Sequence, residues 1–134
     1  SYAPQDDIIF DMTIRENILS FDGGRDISDS TLYEVCANVG ILNDILNLPE
    51  RFDTKIEEIR DFSYGQKKKM LLVRAFLRPA QILLLDEPLA GLDEASQDNV
   101  KKYILSLASD KTILIASHKK ESFWNCDDML IIHL

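Results

Sequence analysis

Cysteine is scarce in this sequence of 134 residues, which contains only Cys36 and Cys126. The two lie far apart and in no ligand-like spacing, so neither a disulfide framework nor a zinc site is expected. Long apolar runs are also missing, since runs such as residues 82–85 fall far below the ~20 residues of a membrane-spanning helix. No signal peptide is visible either. We therefore expect a reducing cytosolic setting, with any membrane contact made through a partner or another part of the polypeptide.

Positive charge is in deficit, because 15 Lys and Arg face 23 Asp and Glu, a formal net charge of −8 at pH 7. Proteins that bind nucleic acid through its phosphates normally carry a basic face. We therefore expect no nucleic-acid partner, although residues 67–69 form one local cluster of lysines. The apolar share of 46% and the charged share of 28% are those of an ordinary globular protein. The length suits one domain.

The pattern of apolar residues changes near residue 78. Before it, apolar periodicity predicts four helices, over residues 14–20, 28–39, 42–48 and 63–77. After it, strands predicted over residues 82–85, 112–116 and 129–132 alternate with helices, the longer over residues 94–108. The run 82–85 is wholly apolar, which is typical of a parallel strand buried on both faces. The expected fold class is α/β, a parallel sheet with a helical appendage.

Two adjacent carboxylates, Asp86 and Glu87, follow the first of these predicted strands. They would lie at the carboxyl edge of the parallel sheet, where ligands bind in open α/β folds. In phosphoryl transfer one carboxylate serves Mg²⁺ and a second can polarise the attacking water. Taken alone, the pair fits an ordinary acidic turn equally well.

Two further positions are compatible with phosphate binding. Ser63, followed by Gln66, forms a capping box that opens a predicted helix. The free N–H groups of a helix N-terminus suit a phosphate, which Gly65 would allow close to the backbone. His118 follows the predicted strand 112–116 and could contact a phosphate or its attacking water. A lone histidine is more often structural or simply exposed.

The order and spacing of these residues resemble the nucleotide-binding domain of the ATP-binding-cassette (ABC) family. Residues 2–5 resemble its Q-loop, and residues 62–66 its signature motif, with Tyr64 where that motif usually has glycine. Residues 82–86 are similar to its Walker B strand, and residues 90–93 to its D-loop. The site residues implied by the resemblance are Gln5, Ser63, Tyr64, Gly65, Gln66, Asp86, Glu87, Asp93 and His118.

The resemblance implies a partial P-loop NTPase (RecA-like) sheet, with a helical subdomain over about residues 6–78 and a core part over about residues 79–134. It implies ATP and Mg²⁺ as cofactors, with Glu87 and His118 catalytic and Asp86 and Gln5 serving the metal. The family's phosphate-binding loop, Gly-x-x-x-x-Gly-Lys-Ser/Thr, does not occur in the sequence. We therefore expect a fragment of an ATPase that by itself binds ATP weakly and is inactive.

Two partners are implied, a second nucleotide-binding domain and a transmembrane domain fused elsewhere in the protein, with the chain at the cytoplasmic face of a membrane. Residues 10–18 resemble exporter-type members, although Pro88 is more usual in importers. Bulky Tyr64 would impair the partner subunit's site, as in a heterodimer with unequal sites or a tolerant homodimer. The alternatives are a soluble cassette ATPase of DNA repair or translation, a non-catalytic regulatory nucleotide-binding domain, and a bare interaction domain.

Overall fold

The computed structural model describes residues 1–4, 8–19, 26–59 and 62–118. Its first part is helical, as expected. The elements in chain order are a short strand β1 (Tyr2–Ala3), helices α1 (Ile14–Leu19), α2 (Asp29–Val39) and α3 (Leu42–Leu46), and 3-10 turns at Arg51–Asp53 and Ile56–Glu58. Helix α4 (Tyr64–Leu77), strand β2 (Ile82–Asp86), helix α5 (Glu94–Leu107) and strand β3 (Thr112–Ala116) follow.

The helix boundaries follow from capping chemistry that the sequence already carries. Helix α2 begins after Ser28, whose side chain accepts from the N–H of Thr31, and ends at Gly40 in the left-handed conformation. Helix α4 begins with the predicted capping box. The predicted helices are therefore confirmed within one or two residues at the ends that the structure describes.

The described strands form one parallel sheet in the order β1-β2-β3, which confirms the α/β class. Strand β1 was not predicted, because two residues are too short to show a period. Parallel strands place their carboxyl ends at one edge, so the residues just after β1, β2 and β3 meet there. The strand predicted over residues 129–132 lies outside the described residues.

The prediction that β2 is buried on both faces is wrong. Leu83 and Leu85 are each 2% exposed, whereas Ile82 and Leu84 are 53% and 40% exposed. Side chains alternate across a strand, and among the described residues the helices cover only the face of Leu83 and Leu85. Leu114 of β3, 52% exposed, lies on the same open face as Leu84, its partner in the register.

Helix α4 forms the centre of the core, and every residue from Lys68 to Phe76 is buried. It packs against α1, α2 and β1. A hydrogen-bonded group fixes the segment before α1 to this helix. The fully buried Asn17 accepts from the N–H of Phe10 at 2.8 Å and from Nη2 of Arg74 at 3.2 Å. The Nε of Arg74 donates to the carbonyl of Asn17 at 2.6 Å.

Candidate functional site

The turn after β2 is held in an unusual backbone conformation at Glu87. Its φ is +44°, in the left-handed region that residues other than glycine rarely adopt. The N–H of Glu87 donates to the carbonyl of Ala116 at 2.9 Å, which extends the β2–β3 pairing by one residue. The carbonyl of Glu87 accepts from the N–H of Ala90 at 3.1 Å. Backbone strain of this kind concentrates at functional sites.

The carboxylate of Glu87 is bound by residues that follow β3. Its Oε1 accepts from the backbone N–H of His118 at 2.5 Å, and its Oε2 accepts from Oγ of Ser117 at 3.1 Å. The structure therefore brings Glu87 and His118 together from the carboxyl ends of neighbouring strands. Sequence reasoning assigned no role to Ser117, although a hydroxyl residue beside the candidate histidine was a signal that could have revealed it.

Asp86 lies at the same edge, one residue before Glu87, and is partly exposed. Its Oδ2 accepts from the hydroxyl of Tyr2 at 3.5 Å, and its backbone carbonyl accepts from Nζ of Lys68 at 3.4 Å. Gln5, the second predicted metal residue, lies outside the described residues. Its neighbour Pro4 is at the carboxyl end of β1, beside β2.

The carboxylates at this edge suit magnesium bound together with a nucleotide. Among the residues that the structure describes, no group of three or more His, Cys, Asp or Glu side chains could form a metal cage. Mg²⁺ commonly keeps several waters and is held by one or two carboxylates plus substrate phosphates. Asp86 offers one such carboxylate, so the donor set fits Mg·ATP.

The predicted signature segment opens helix α4 with a reciprocal capping box. The N–H of Gln66 donates to Oγ of Ser63 at 3.1 Å, and Oε1 of Gln66 accepts from the N–H of Ser63 at 2.9 Å. The side-chain carbonyl oxygen of Gln66 is therefore already used in capping the helix. Ser63 Oγ acts as an acceptor in the capping box, which leaves its hydroxyl hydrogen able to donate. Because Ser63 is exposed, it can donate to an oxygen of a bound ligand.

Tyr64 lies against the predicted D-loop of its own chain. Gly91 has a φ of +75°, and a Cβ placed there would overlap Cε1 and Cδ1 of the Tyr64 ring. A Cβ at Gly65 would lie 3.2 Å from the carbonyl oxygen of Gly91. The signature segment and the D-loop are therefore in close contact, while the Tyr64 side chain stays 53% exposed.

Asp93 caps helix α5. Its Oδ1 accepts from the N–H of Ser96 at 2.9 Å and its Oδ2 accepts from the Ser96 hydroxyl at 2.8 Å. These hydrogen bonds, the backbone one first, lower the pKa of Asp93 below its ordinary value. The exposed carboxylate fixes the start of α5 next to the D-loop.

A parallel sheet with carboxylates at its carboxyl edge, next to a capped helix N-terminus, is the architecture of an α/β nucleotide-binding protein. The comparisons agree with this class. The family model described as ABC transporter matches residues 1–90. The chain belongs to the ABC transporter family.

Curated relatives match almost the whole chain. An ATP-dependent lipid A-core flippase 2 of Colwellia psychrerythraea is 32% identical over 99% of this chain and 23% of its own length. A probable ABC transporter ATP-binding/permease protein of Haemophilus influenzae is 34% identical over 97% of this chain and 23% of its own. The ABC multidrug transporter mdr1 of Aspergillus fumigatus is 34% identical over 95% of this chain and 10% of its own length. The chain thus spans less than a quarter of these relatives.

A solved structure gives the same result for the fold. A bacterial Atm1-family ABC exporter with ATP bound superimposes with a TM-score of 0.81 and 25% identity, over 94% of this chain and 22% of that one. The relatives support the transporter interpretation over a DNA-repair, translation or purely regulatory ATPase. In the parts of the chain described above, no helix is long and apolar enough to cross a membrane.

Proposed function

We propose that this chain is the Walker B, D-loop and signature part of an exporter's nucleotide-binding domain, which hydrolyses ATP to drive transport. One observation carries the proposal. The Glu87 carboxylate is held between Ser117 Oγ and the His118 N–H, one residue from Asp86, at the edge where a parallel sheet binds ligands. The strained φ of Glu87 supports the same assignment, because such strain is retained where geometry matters.

In this proposal the residues of the sheet edge serve the chain's own nucleotide. Glu87 accepts a proton from, or orients, the water that attacks the γ-phosphate in line. Asp86, with Gln5, faces the magnesium, which would neutralise phosphate charge when bound. His118 contacts the γ-phosphate from the side of β3. Its backbone N–H fixes the direction of the Glu87 carboxylate, so one short segment places both groups.

The signature segment would serve a second nucleotide-binding domain. Ser63, Gly65 and Gln66 lie at the N-terminus of α4, where free N–H groups favour an anion. They would complete the site of the opposite subunit, with Asp93 at the subunit boundary. Tyr64 would narrow the approach to that phosphate, because its half-exposed ring stands beside the same helix end.

The remaining parts of the proposal concern the whole protein. Residues of about 6–78 would form the helical subdomain and those of about 79–134 the core part. A transmembrane domain in the same polypeptide would be the partner, as the name ATP-binding/permease suggests for one relative. The chain would then lie at the cytoplasmic face of the membrane.

The test is Glu87→Gln in the protein extended through the expected phosphate-binding loop. Glutamine keeps the size of the side chain but removes the proton acceptor, so ATP hydrolysis should fall by about 10²–10⁴-fold, the range of general-base catalysis. Mg·ATP binding, measured by equilibrium titration, should persist. Glu94→Gln, at an exposed position in the first turn of α5, is the matched control. Full hydrolysis by the Glu87 variant, or tight ATP binding and hydrolysis by residues 1–134 alone, would refute the assignment.

A further inference from the structure

A buried lysine lies behind the candidate site. Lys68, in the second turn of α4, is only 3% exposed, whereas the neighbouring Lys67 is exposed. Lys68 occupies the apolar stripe of the helix, four and seven residues before the buried Leu72 and Ala75. Lysine is almost never fully buried unless it is paired. Its burial at this position therefore requires partners for the ammonium group.

Two of the groups that Lys68 contacts lie at the carboxyl ends of two adjacent strands. Its Nζ donates to the carbonyl of Pro4 at 3.3 Å and to the carbonyl of Asp86 at 3.4 Å. Ala3 and Leu85 are paired in the parallel register of β1 and β2. Pro4 and Asp86 are the next residues along each strand. One ammonium group therefore joins the two strands immediately after their last pair, Ala3 and Leu85.

The residues proposed to serve magnesium lie at or next to the ends of these two strands in the sequence. Asp86 is one of them, and Gln5 follows Pro4 in the sequence. A link between the carbonyls of Pro4 and Asp86 fixes the separation of these two backbone positions.

The next lysine of the same helix, Lys69, is also buried but binds another helix instead of the sheet edge. Lys69 is 9% exposed, and its Nζ donates to the carbonyl of Gly40 at the end of α2 at 3.1 Å. That bond ties one helix to another and does not touch the sheet edge. Lys68 and Lys69 are thus a matched pair, alike in type, helix and burial, that differ in what the ammonium holds.

We propose that Lys68 is a positioning residue, which sets the distance between Pro4 and the Asp86–Glu87 turn and so tunes metal affinity at the nucleotide site. The proposal rests on the proposed function, because the metal enters only with the nucleotide. Supporting residues behind metal ligands commonly change metal affinity or activity by about 10–100-fold when they are replaced.

The experiment compares Lys68→Met with Lys69→Met in the complete protein, because methionine fills similar volume without donors or charge. Mn²⁺ with ATP is the probe, and bound Mn²⁺ is measured by electron paramagnetic resonance in a Glu87→Gln background that does not turn over. We expect Lys68→Met to weaken Mn²⁺ binding about 10-fold or more, and Lys69→Met to leave it unchanged. In the active protein, Lys68→Met should raise the half-saturating Mg²⁺ concentration similarly, and Lys68→Arg should largely restore it.

Equal Mn²⁺ affinity in the Lys68→Met and Lys69→Met variants would overturn the positioning role, even if both lower the melting temperature. If Lys68→Met does not fold, Lys68→Gln takes its place, because the shorter, uncharged glutamine side chain should not join both carbonyls as the ammonium does. Wild-type Mn²⁺ affinity in Lys68→Gln would likewise overturn the role. Asp86→Asn separates the two proposals: if it leaves Mn²⁺ affinity intact, the proposed function fails, and if it weakens it, only the Lys68 result is at issue.

Discussion

The contact between Tyr64 and Gly91 can be tested by replacing Gly91 with alanine. Two free-energy costs of that substitution, backbone strain at position 91 and displacement of the Tyr64 ring, can be measured separately. Gly91→Ala places a Cβ on a residue with φ of +75°, and left-handed backbone costs an L-residue about 1–2 kcal/mol. The same Cβ would overlap the Tyr64 ring. The ring is 53% exposed and can move into solvent, at the cost of about 0.5–1.5 kcal/mol for leaving its preferred rotamer.

The single variant Gly91→Ala should therefore lower the free energy of unfolding by about 1.5–3.5 kcal/mol, the sum of the two terms. In a Tyr64→Ala background the overlap is gone and only the backbone strain remains, about 1–2 kcal/mol. The interaction energy of the double-mutant cycle should thus be about 0.5–1.5 kcal/mol. Alanine at position 64 retains helix propensity, so the background itself should change little.

The assay is urea unfolding of the complete nucleotide-binding domain, followed by circular dichroism, with all four proteins of the cycle measured at one temperature. Non-contacting pairs are additive within about 0.3–0.5 kcal/mol. An interaction energy within that limit would mean that the Tyr64 ring does not lie against Gly91. The close approach of Gly65 to the Gly91 carbonyl would then be the contact that still links the signature segment to the D-loop.

Two further predictions concern the buried groups. Asn17→Ala removes the side-chain oxygen that accepts from the Phe10 N–H and from Nη2 of Arg74, so the free energy of unfolding should fall by about 2–4 kcal/mol. Asn43→Ala, at an exposed position on α3, should change it by no more than about 0.5 kcal/mol, and equal urea midpoints for the two variants would contradict the network. Burial raises the pKa of the Cys36 thiol to about 12, so the unfolded chain loses this proton first as pH rises. Stability should decline from about pH 9 towards 12, Cys36→Ala should reduce that slope, and iodoacetamide should label Cys36 at pH 8 only on unfolding; rapid labelling in the native state would contradict the burial.

The helices and the acidic strand end were predictable because their signals are local. A capping box is a matter of two side chains three residues apart, so Ser63 with Gln66 marked the start of α4 before any contact was known. The apolar run before Asp86 marked β2 in the same way. The family resemblance added the order of the motifs, and the comparisons confirmed the family.

Other features depend on neighbours that are distant in the sequence. Periodicity does not reveal which face of β2 is covered, because Leu83 and Leu84 are chemically alike and only the packing of the helices distinguishes them. Strand β1 exists only through its pairing with β2. The roles of Gln5, Asp93 and the other site residues remain predictions that the experiments above address.

The sequence by itself determined the α/β class, the helix boundaries and the chemical identity of the acidic edge, since each follows from residues close together along the chain. Only the tertiary structure decided that Ser117 and the His118 backbone hold Glu87, and that Lys68 joins Pro4 to Asp86. These contacts span from 18 to 64 residues. Chain segments so far apart meet only when a parallel sheet aligns its carboxyl ends and a helix packs behind them, which no local pattern encodes.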